Sequence, residues 1–525
     1  MYRVRTTKLS SGNTAVQVVF RHHHKTDIVK HVGTAKNDGE QNQLVECAYQ
    51  YIATQKDAPP LLPEAFVADP DTSLVSLKYL QFTASHHHFA YEFFFHFYAL
   101  NGFDTIPNNL LRDLSIMRII EPSSKLHAVE LLKEYFAIAY PINRVYEGLR
   151  SIKLLKAEVE KTAVSYARNH LGFDFSLVFY DVTTLYFETF THDEDTKDEQ
   201  GNITVGLRKS GFSKDNKPQQ PQIIIGLLVN GDGYPIGVHM FSGKTFEGHT
   251  IIPVITNLKK TYGIEHLTIV ADAAMLSQDN IDALEEASLQ YIVGARLGNI
   301  STGLLKKISE KLQKTEGIYY KTETPRGSLI CDYSKKRASK DRSDRKKQVL
   351  KAQDQIDNPE KVKKRVRFVT EETKATLKLN EELIAKDELK EGIKGYYTNL
   401  TLTSKLTEQD IVKTYKDLWH VEKSFRIAKS DLEARPIFHH KAESIEAHII
   451  IVFVSLCLAK SVELITGYSI KQVRDMIWKI LDIELVDTLT NRTCIKRMET
   501  RGNKMAELFE QLRYVDNFSK RVLKK

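Results

Sequence analysis

The sequence predicts an α/β fold built on a mixed sheet, with a β-rich insertion and helical regions toward both ends. Near residue 171, helical periodicity gives way to runs of β-branched and aromatic residues. The turn Gly231-Asp232-Gly233 between two apolar runs indicates a β-hairpin. Strands and helices then alternate. In order, the elements are strands at 175–188, 221–230 and 234–241, a helix at 248–262, a strand at 266–272, a helix at 277–287 and a strand at 289–295.

Three antiparallel strands followed by alternating helices and strands form the element order of a ribonuclease-H-like core. The chain contains no GxGxxG and no P-loop, so the order does not indicate a dinucleotide- or nucleotide-binding core of those types. The stretch 266–272, HLTIVAD, is almost continuously apolar, as expected of a buried parallel strand. We therefore expect a ribonuclease-H-like mixed sheet.

The same patterns divide the chain into five regions. At 525 residues it is too long for one core, since a domain usually has about 100–200 residues. Short helices with basic faces suggest DNA contact near the N-terminus, although they also suit a plain helical bundle. The predicted regions are 1–170 (a hairpin and a helical DNA-binding region), 171–295 (the first part of the core), 296–405 (a basic β-rich insertion), 406–435 (a core helix) and 436–525 (a helical C-terminal region).

The positive charge is concentrated in the insertion. The formal net charge is +8, but residues 301–370 alone contain 20 Lys and Arg against 9 Asp and Glu. Because neutralising phosphates with Lys and Arg drives nucleic-acid affinity, this segment is a candidate contact for double-stranded DNA.

Cysteine usage and hydropathy indicate a cytoplasmic protein that does not enter a membrane. The four cysteines are far apart and form no CxxC, which indicates reduced thiols and no zinc site. The N-terminus has no apolar leader segment. The apolar run 449–459 is shorter than the about 20 residues that span a bilayer, so we expect a buried helix there.

A helix at 407–432 carries two distinct faces, with Thr407 as its predicted N-cap. One face is an apolar stripe that can bury. The other combines two aromatics, a carboxylate and two cations, which packing alone does not require. Glu422 and Arg426 could also be an ordinary i,i+4 ion pair. The apolar stripe is Ile411, Leu418, Val421, Phe425, Ala428 and Leu432, and the polar face is Tyr415, Trp419, Glu422, Arg426 and Lys429.

Three carboxylates fall where one core arrangement would bring them together. Asp181 lies within an apolar strand, and Asp272 ends another, where α/β sheets bind ligands. In a ribonuclease-H-like sheet these strands are neighbours, and Glu422 approaches from the helix. Three carboxylates suit Mg²⁺ or Mn²⁺, and two such ions can drive phosphoryl transfer. Taken singly, each acid could be structural; Asp181 could cap a turn or pair with a lysine.

Three motifs make the resemblance specific. YDVTTLYFE around Asp181, IVADAAMLS around Asp272 and YxxxWxxExxFRxxK from Tyr415 to Lys429 resemble the DDE transposases of bacterial insertion sequences. The resemblance is greatest to the insertion-sequence-four group, whose ribonuclease-H-like core carries a β-rich insertion before the glutamate helix. Leu418 stands where that group has Arg, which leaves one phosphate contact to Arg426 as a substitute.

This resemblance implies a role for each residue of the predicted site. Asp181, Asp272 and Glu422 would be the catalytic triad and would bind two Mg²⁺ or Mn²⁺ ions. The backbone of the transposon end would be held by Tyr415, Arg426 and Lys429. Trp419 would stack on a flipped base, as in relatives that cut through a DNA hairpin; its alternative role is core packing.

The resemblance also implies an activity and an assembly. The activity would be cleavage at terminal inverted repeats followed by strand transfer, carried out by a homodimer that holds two transposon ends. Two alternatives remain at this point. One is a ribonuclease-H-like nuclease or resolvase that cuts without joining, and the other is a non-catalytic DNA-binding descendant.

Overall fold

The structure is a computed structural model, and its described residues form two compact units. The smaller comprises Met1–Gln81 with Asp487–Arg492, and the larger Phe82–Val486 with Thr493–Lys525. The helical tail expected beyond residue 498 lies outside the described residues, except for Leu508. The described residues are 2–22, 25–54, 79–197, 201, 203–275, 277–358, 366–373, 376–402, 406–488, 492–498 and 508.

The described residues contain β-strands throughout the chain. The strands are β1 (Tyr2–Lys8), β2 (Thr14–His22), β3 (Lys25–Ala35), β4 (Leu80–His86), β5 (Leu177–Tyr186), β6 (Thr196–Lys197), β7 (Ile203–Thr204), β8 (Gln222–Val229), β9 (Pro235–Ser242), β10 (Thr268–Ala271), β11 (Gln290–Ala295), β12 (Tyr319–Thr324), β13 (Gly327–Tyr333), β14 (Val369–Thr373), β15 (Thr376–Leu379), β16 (Ile393–Thr398), β17 (Leu481–Asp487) and β18 (Arg492–Met498).

The helices are concentrated before β5 and after β16, with others between the strands. They are α1 (Asp38–Thr54), α2 (His88–Leu100), α3 (Asn109–Ile120), α4 (Lys125–Phe136), α5 (Ile142–Leu154), α6 (Lys156–His170), α7 (Ile251–Tyr262), α8 (Gln278–Glu286), α9 (Thr302–Leu312), α10 (Lys335–Asp357), α11 (Glu381–Leu389), α12 (Glu408–Lys416), α13 (Trp419–Arg426), α14 (Ala442–Thr466) and α15 (Ile470–Ile477).

The smaller unit is an antiparallel sheet covered by one helix. β1 pairs with β2 as the hairpin pattern predicted, and β3, which the sequence did not predict, adds a third strand. Val16 and Val18 of β2 pack with Ala48 and Ile52 of α1. This apolar layer gives the unit a core of its own.

The larger unit is organised around a mixed eight-stranded sheet. Its order is β12-β13-β16-β11-β10-β5-β8-β9. β5 lies parallel to β10 and antiparallel to β8, and β10 lies parallel to β11. Every residue of β8 and β10 is buried, which explains their continuously apolar sequences. The predicted neighbour relation between the strand carrying Asp181 and the strand preceding Asp272 is confirmed.

The segment expected as a β-rich insertion, 296–405, contains both helix and strand. Its strands β12, β13 and β16 continue the central sheet beyond β11, and β14 pairs with β15 apart from that sheet. The basic stretch forms α10, which begins where the Ser334 side chain accepts a hydrogen bond from the Arg337 N–H. Lys, Arg, Gln and Ala are good helix formers, so this composition favours a helix over strands.

A long apolar helix, α14, lies at the centre of the helical part of the larger unit. It contacts α2, α3, α5, α6 and β9. It is long and apolar enough to cross a membrane, but 83% of its most apolar window is buried inside the protein, as in a core helix. The Ser455 hydroxyl donates to the Ser115 carbonyl (2.9 Å), and the Ser461 hydroxyl donates to the Asn101 side chain (2.8 Å). These bonds satisfy the polar groups that α14 buries.

The C-terminal region is helical only in part. After α14 and α15 the chain forms β17 and β18, which make a three-stranded sheet in the order β18-β17-β4. The β17 sequence LDIELVD alternates apolar and polar residues, which is the strand period. The expectation of a helical region is therefore wrong for Leu481–Asp487 and Arg492–Met498, which are strands.

Candidate active site

Asp181 and Asp272 are brought to the same level of the central sheet. Tyr180 of β5 pairs with Ala271 of β10 in parallel register, and each acid is the next residue of its chain. Because side chains alternate along strands, residues that follow a parallel pair point to the same side. The two carboxylates therefore lie side by side at the carboxyl end of β10.

The electrostatics of Asp181 show that three acids converge. Burial raises the pKa of the Asp181 carboxyl to about 7; the charge of Lys214 and the Val182 N–H oppose this rise, and the charges of Asp272 and Glu422 add to it. The Val182 N–H donates to Asp181 Oδ1 at 2.8 Å. Like charges close together disfavour ionisation. The three predicted acids are thus near enough to act on one another.

Glu422 reaches this group from α13, whose opposite face is fixed in the core. Val421 and Phe425 are buried, whereas Glu422 is exposed. The Ser424 hydroxyl donates to the Gly233 carbonyl (2.9 Å) in the turn between β8 and β9. Gly233 has φ +78°, and a Cβ there would stand 3.0 Å from His420, so this anchoring turn requires glycine.

The helix predicted over 407–432 is divided into three parts. α12 ends at Lys416, α13 begins at Trp419, and residues Ile427–Asp431 form a π-helical turn. Thr407 is the N-cap of α12, as predicted, and forms a capping box with Asp410. The predicted apolar stripe is buried along its whole length, including Leu418. π-helical turns are frequent at functional sites.

Tyr415 is buried beside the acids and does not face open solvent. Its hydroxyl donates to Asp272 Oδ1 at 3.4 Å, and burial followed by the charge of Asp272 raises its pKa. Lys394 Nζ lies 4.6 Å from the centre of the Tyr415 ring. Gly294 makes room, since a Cβ there would stand 2.5 Å from the hydroxyl. Tyr415 therefore supports the Asp272 carboxylate directly.

The other predicted contact residues differ in how accessible they are. Trp419 is 48% exposed and stacks on His420 with ring centres 4.0 Å apart. Arg426 is exposed. Lys429 is half-buried, its Nζ lies 3.4 Å from Asp215 Oδ1, and burial lowers its pKa. Trp419 and Arg426 thus face solvent, whereas Lys429 is engaged inside the protein.

Two polar groups beside the acids were missed by sequence reasoning. Lys214 Nζ donates to the Val182 carbonyl (2.7 Å) and pairs with Glu247 (3.0 Å). Asp215 pairs with both Lys429 and Arg435. The sequence offered a weak signal, a Lys-Asp pair in the polar segment before the apolar strand β8. These contacts tie that segment to β5 and to the chain after α13.

The acids approach one another without forming a closed ligand set. Within the part of the chain that the structure describes, no group of three or more His, Cys, Asp or Glu side chains is arranged to hold a metal ion as it stands. The chemistry of the group still fits a hard divalent cation, because all its donors are carboxylate oxygens. Burial is the main cause of the raised pKa of Asp181, and the charges of Asp272 and Glu422 add to it; a bound cation would favour the ionised carboxylate against both.

The fold and this group of acids fit a class of enzymes that act through carboxylates gathered at a sheet edge. A family model described as "Transposase DDE domain" matches residues 174–458, which include all three acids. The chain belongs to this family and is a DDE transposase.

Solved structures and curated proteins were also compared. The chain is similar to a piggyBac transposase, solved by cryo-electron microscopy as a synaptic complex with hairpin DNA, at 11% identity and TM-score 0.35 over 70% of this chain and 68% of that one. It is also similar to the Mos1 transposase in a paired-end complex with the left transposon end, at 13% identity and TM-score 0.15 over 47% and 66%. No curated protein matched. The family assignment rests on the matched model.

Proposed function

We propose that this transposase binds the inverted repeats at the ends of its transposon, cleaves DNA there and joins the freed ends to a target. The observation that carries the proposal is the convergence of Asp181, Asp272 and Glu422 from β5, the end of β10 and α13. The strand order β9-β8-β5-β10-β11 supports a ribonuclease-H-like core. In this order β5, the first strand predicted for the core, lies between the β8-β9 hairpin and the parallel strands β10 and β11. We place the site of action at the DNA of a bacterial cell.

The three acids are the proposed ligands of two Mg²⁺ or Mn²⁺ ions. When bound, such ions activate a water or a 3′-hydroxyl and stabilise the leaving oxygen of phosphoryl transfer. Asp181, held by the Val182 N–H, and Asp272, held by the Tyr415 hydroxyl, provide oriented oxygens on the rigid sheet. Glu422, on the eight-residue helix α13, is the third proposed ligand. The resemblance gave Tyr415 a contact with the transposon-end backbone, but the side chain is 4% exposed, so its proposed role is instead to position Asp272.

The exposed residues beside the acids are the proposed DNA contacts. Trp419, half of whose surface is exposed beside its stack on His420, can take an unstacked base, a contact worth about 1–3 kcal/mol, as in relatives that cut through a DNA hairpin. Arg426 offers a guanidinium to a backbone phosphate in place of the arginine that Leu418 replaces. Lys429 can contact a phosphate of the DNA backbone when its ion pair with Asp215 is broken. The match of Tyr415, Glu422 and Lys429 supports membership of the insertion-sequence-four group.

The remaining regions complete the proposed assembly. The helices of 1–170 recognise the repeat, and the exposed lysines of α10 contact duplex backbone. Two copies of the chain hold the two ends in a synaptic homodimer.

The central experiment replaces Asp272 by Ala and measures two properties on a DNA fragment carrying one transposon end. Mg²⁺-dependent cleavage should fall by at least about 10³-fold, whereas end binding in a mobility-shift assay should be retained. The matched control is Asp279→Ala, which removes an exposed acid from the first turn of α8. Cleavage retained by Asp272→Ala would contradict the assignment of the acids.

A second assay supplies pre-cut ends to the wild-type protein with a target plasmid. Joined products are expected. A protein that cleaves intact ends in the first assay but does not join pre-cut ends in this one would instead be a nuclease or resolvase.

A further inference from the structure

A second group of charged side chains lies inside the helical part of the larger unit. We call Arg118, Lys125, His439 and His448 the cationic cluster. Arg118 is 7% exposed, Lys125 5% and His448 3%. The four residues come from α3, from the first residue of α4, from the loop after Leu432 and from α14. None of them belongs to the group of acids described above.

The cluster is held together by defined hydrogen bonds. Lys125 Nζ donates to His448 Nδ1 at 2.9 Å, and His448 Nε2 donates to the Ala434 carbonyl at 3.0 Å. With Nδ1 accepting and Nε2 donating, the His448 imidazole is neutral. The His439 ring lies 5.8 Å from the His448 ring, centre to centre. The start of α4, the loop after Leu432 and α14 therefore meet at one built site, with Lys125 and His448 323 positions apart.

Arg118 is the member whose bonding is incomplete. In the described part of the chain its guanidinium has no hydrogen bond and no ion pair, although it is more than nine-tenths buried. The charge of Glu433 reaches it without forming an ion pair, and Glu433 itself is exposed. A guanidinium has five donors, and buried charges are normally paired. An anion would supply the partner that the described residues do not give Arg118.

The other members feel the same excess of positive charge. Burial and then the charge of Arg118 lower the pKa of Lys125. Burial, Lys125 and Arg118 lower the pKa of His439 to about 4, and the same causes lower the pKa of His448 well below its ordinary value. Lys125 is also the first residue of α4, where the positive end of the helix dipole adds to the field.

We propose that the cationic cluster binds a single phosphate group. Donors from the Arg118 guanidinium, the Lys125 ammonium and the His439 ring, on three separate elements, can surround a tetrahedral oxyanion, whereas a planar carboxylate would use only part of them. His448, whose two ring nitrogens are already bonded, holds Lys125 in place. Phe438 (60% exposed) and the exposed His440 flank His439 and form the outward side of the loop. The phosphate comes either from the DNA backbone or from a free phosphate. Only the DNA source rests on the proposed function.

The first test measures thermal unfolding of the full chain in metal-free buffer with sodium phosphate or with sodium chloride at equal ionic strength. Phosphate should raise the midpoint of the wild type by about 2–4 °C more than chloride, because a ligand that binds the folded state stabilises it. Arg118→Gln should lose this difference. Arg150→Gln, which removes an exposed arginine of α5, should keep it.

The second test replaces phosphate by a short DNA duplex. If DNA supplies the phosphate, Arg118→Gln should weaken duplex binding and lower the salt dependence by about one phosphate contact, and free phosphate should compete. If duplex binding is unchanged while phosphate still stabilises only proteins with Arg118, the source is free phosphate. Both results support a phosphate site.

Two results would overturn the proposal. One is a wild-type protein that gains no more from phosphate or duplex than from chloride. The other is an equal gain in Arg118→Gln. If Arg118→Gln does not fold, Lys125→Met and titration calorimetry of the wild type with inorganic phosphate decide the question. Asp272→Ala should behave as wild type in both tests, so failure of the phosphate site and failure of the proposed catalysis remain distinguishable.

Discussion

The group of acids and the cationic cluster are opposite in charge and alike in design. Asp181, Asp272 and Glu422 gather negative charge where Lys214 is the cation whose charge acts on Asp181. Arg118 and Lys125 gather positive charge where, among the described residues, Glu433 is the acid whose charge acts on Arg118. In both places burial favours the neutral form of a group: it raises the pKa of Asp181 and lowers the pKa of Lys125. The unbalanced charge of each site therefore indicates the charge of its ligand: a cation for the acids and an anion for the cationic cluster.

The difference lies in how each site is supported. The acids stand at the edge of a parallel strand pair and on one short helix, so a ligand can enter from solvent. The cationic cluster lies among α3, α4, α14 and the loop that carries His439, and three of its four residues are buried. A site for chemistry needs access, whereas a site that holds one phosphate gains from enclosure, because low local dielectric strengthens its bonds.

The largest effect is expected from Glu422→Gln, which removes one charge from the group of acids with little change in shape. Mg²⁺-dependent cleavage of an end fragment should fall by about 10³-fold, equivalent to about 4 kcal/mol in the activation barrier. The stabilisation of the folded protein by Mg²⁺ should also shrink. Glu443→Gln, on the first turn of α14, is the control. Unchanged cleavage in Glu422→Gln would remove α13 from the proposed site.

The next effect concerns pH and the cationic cluster. The pKa of His439 in the folded protein, about 4, lies below its ordinary value of 6.5. Between these values the unfolded chain binds a proton that the folded protein does not, so His439 costs stability as pH falls, by up to about 2–3 kcal/mol. His439→Gln should therefore lose less stability than wild type between pH 7 and pH 5.

Urea denaturation at the two pH values measures this difference. His127→Gln, an exposed substitution on α4, is the control and should follow the wild type. Parallel pH profiles for wild type and His439→Gln would show that the cluster does not impose this cost.

The smallest effect is expected from Lys214→Met, which takes away the cation beside the acids. Without metal, the unfolding free energy should fall by about 1–2 kcal/mol, since the charge that offsets the repulsion at Asp181 is lost together with the bond to Val182. Added Mg²⁺ should reduce the difference in unfolding free energy between wild type and Lys214→Met. Lys260→Met on α7 is the control. If Mg²⁺ leaves that difference unchanged, Lys214 contributes through its packing and not through its charge beside the acids.

Local patterns in the sequence predicted much of the core. The hairpin turn between β8 and β9 and the continuous apolar run of β10 led to the right strands, because period and turn chemistry are local properties. The stripe from Ile411 to Leu432 was predicted for the same reason, and it is buried. The proximity of Asp181 and Asp272 was predicted because their strands are neighbours in a ribonuclease-H-like sheet.

Long-range contacts limited the prediction of the rest. The division between α12 and α13 has no Pro or Gly to mark it, so tertiary packing decides it. Lys125 and His448 are 323 positions apart, and Lys214 is 32 positions from Val182. No local pattern connects such residues. β17 and β18 were missed because a short alternating segment was placed within an expected helical region.

The position of α14 in the chain has a consequence for biosynthesis. Helices α2, α3, α5 and α6 leave the ribosome early, yet the helix that they contact begins only at Ala442. At about 5–20 residues per second, roughly 270 or more residues separate them from that partner by tens of seconds. During this interval their apolar faces are open to chaperones or to aggregation. A nascent chain that stops before Ala442 would lack the helix that covers them, so these helices can be fully covered only after translation has passed α14.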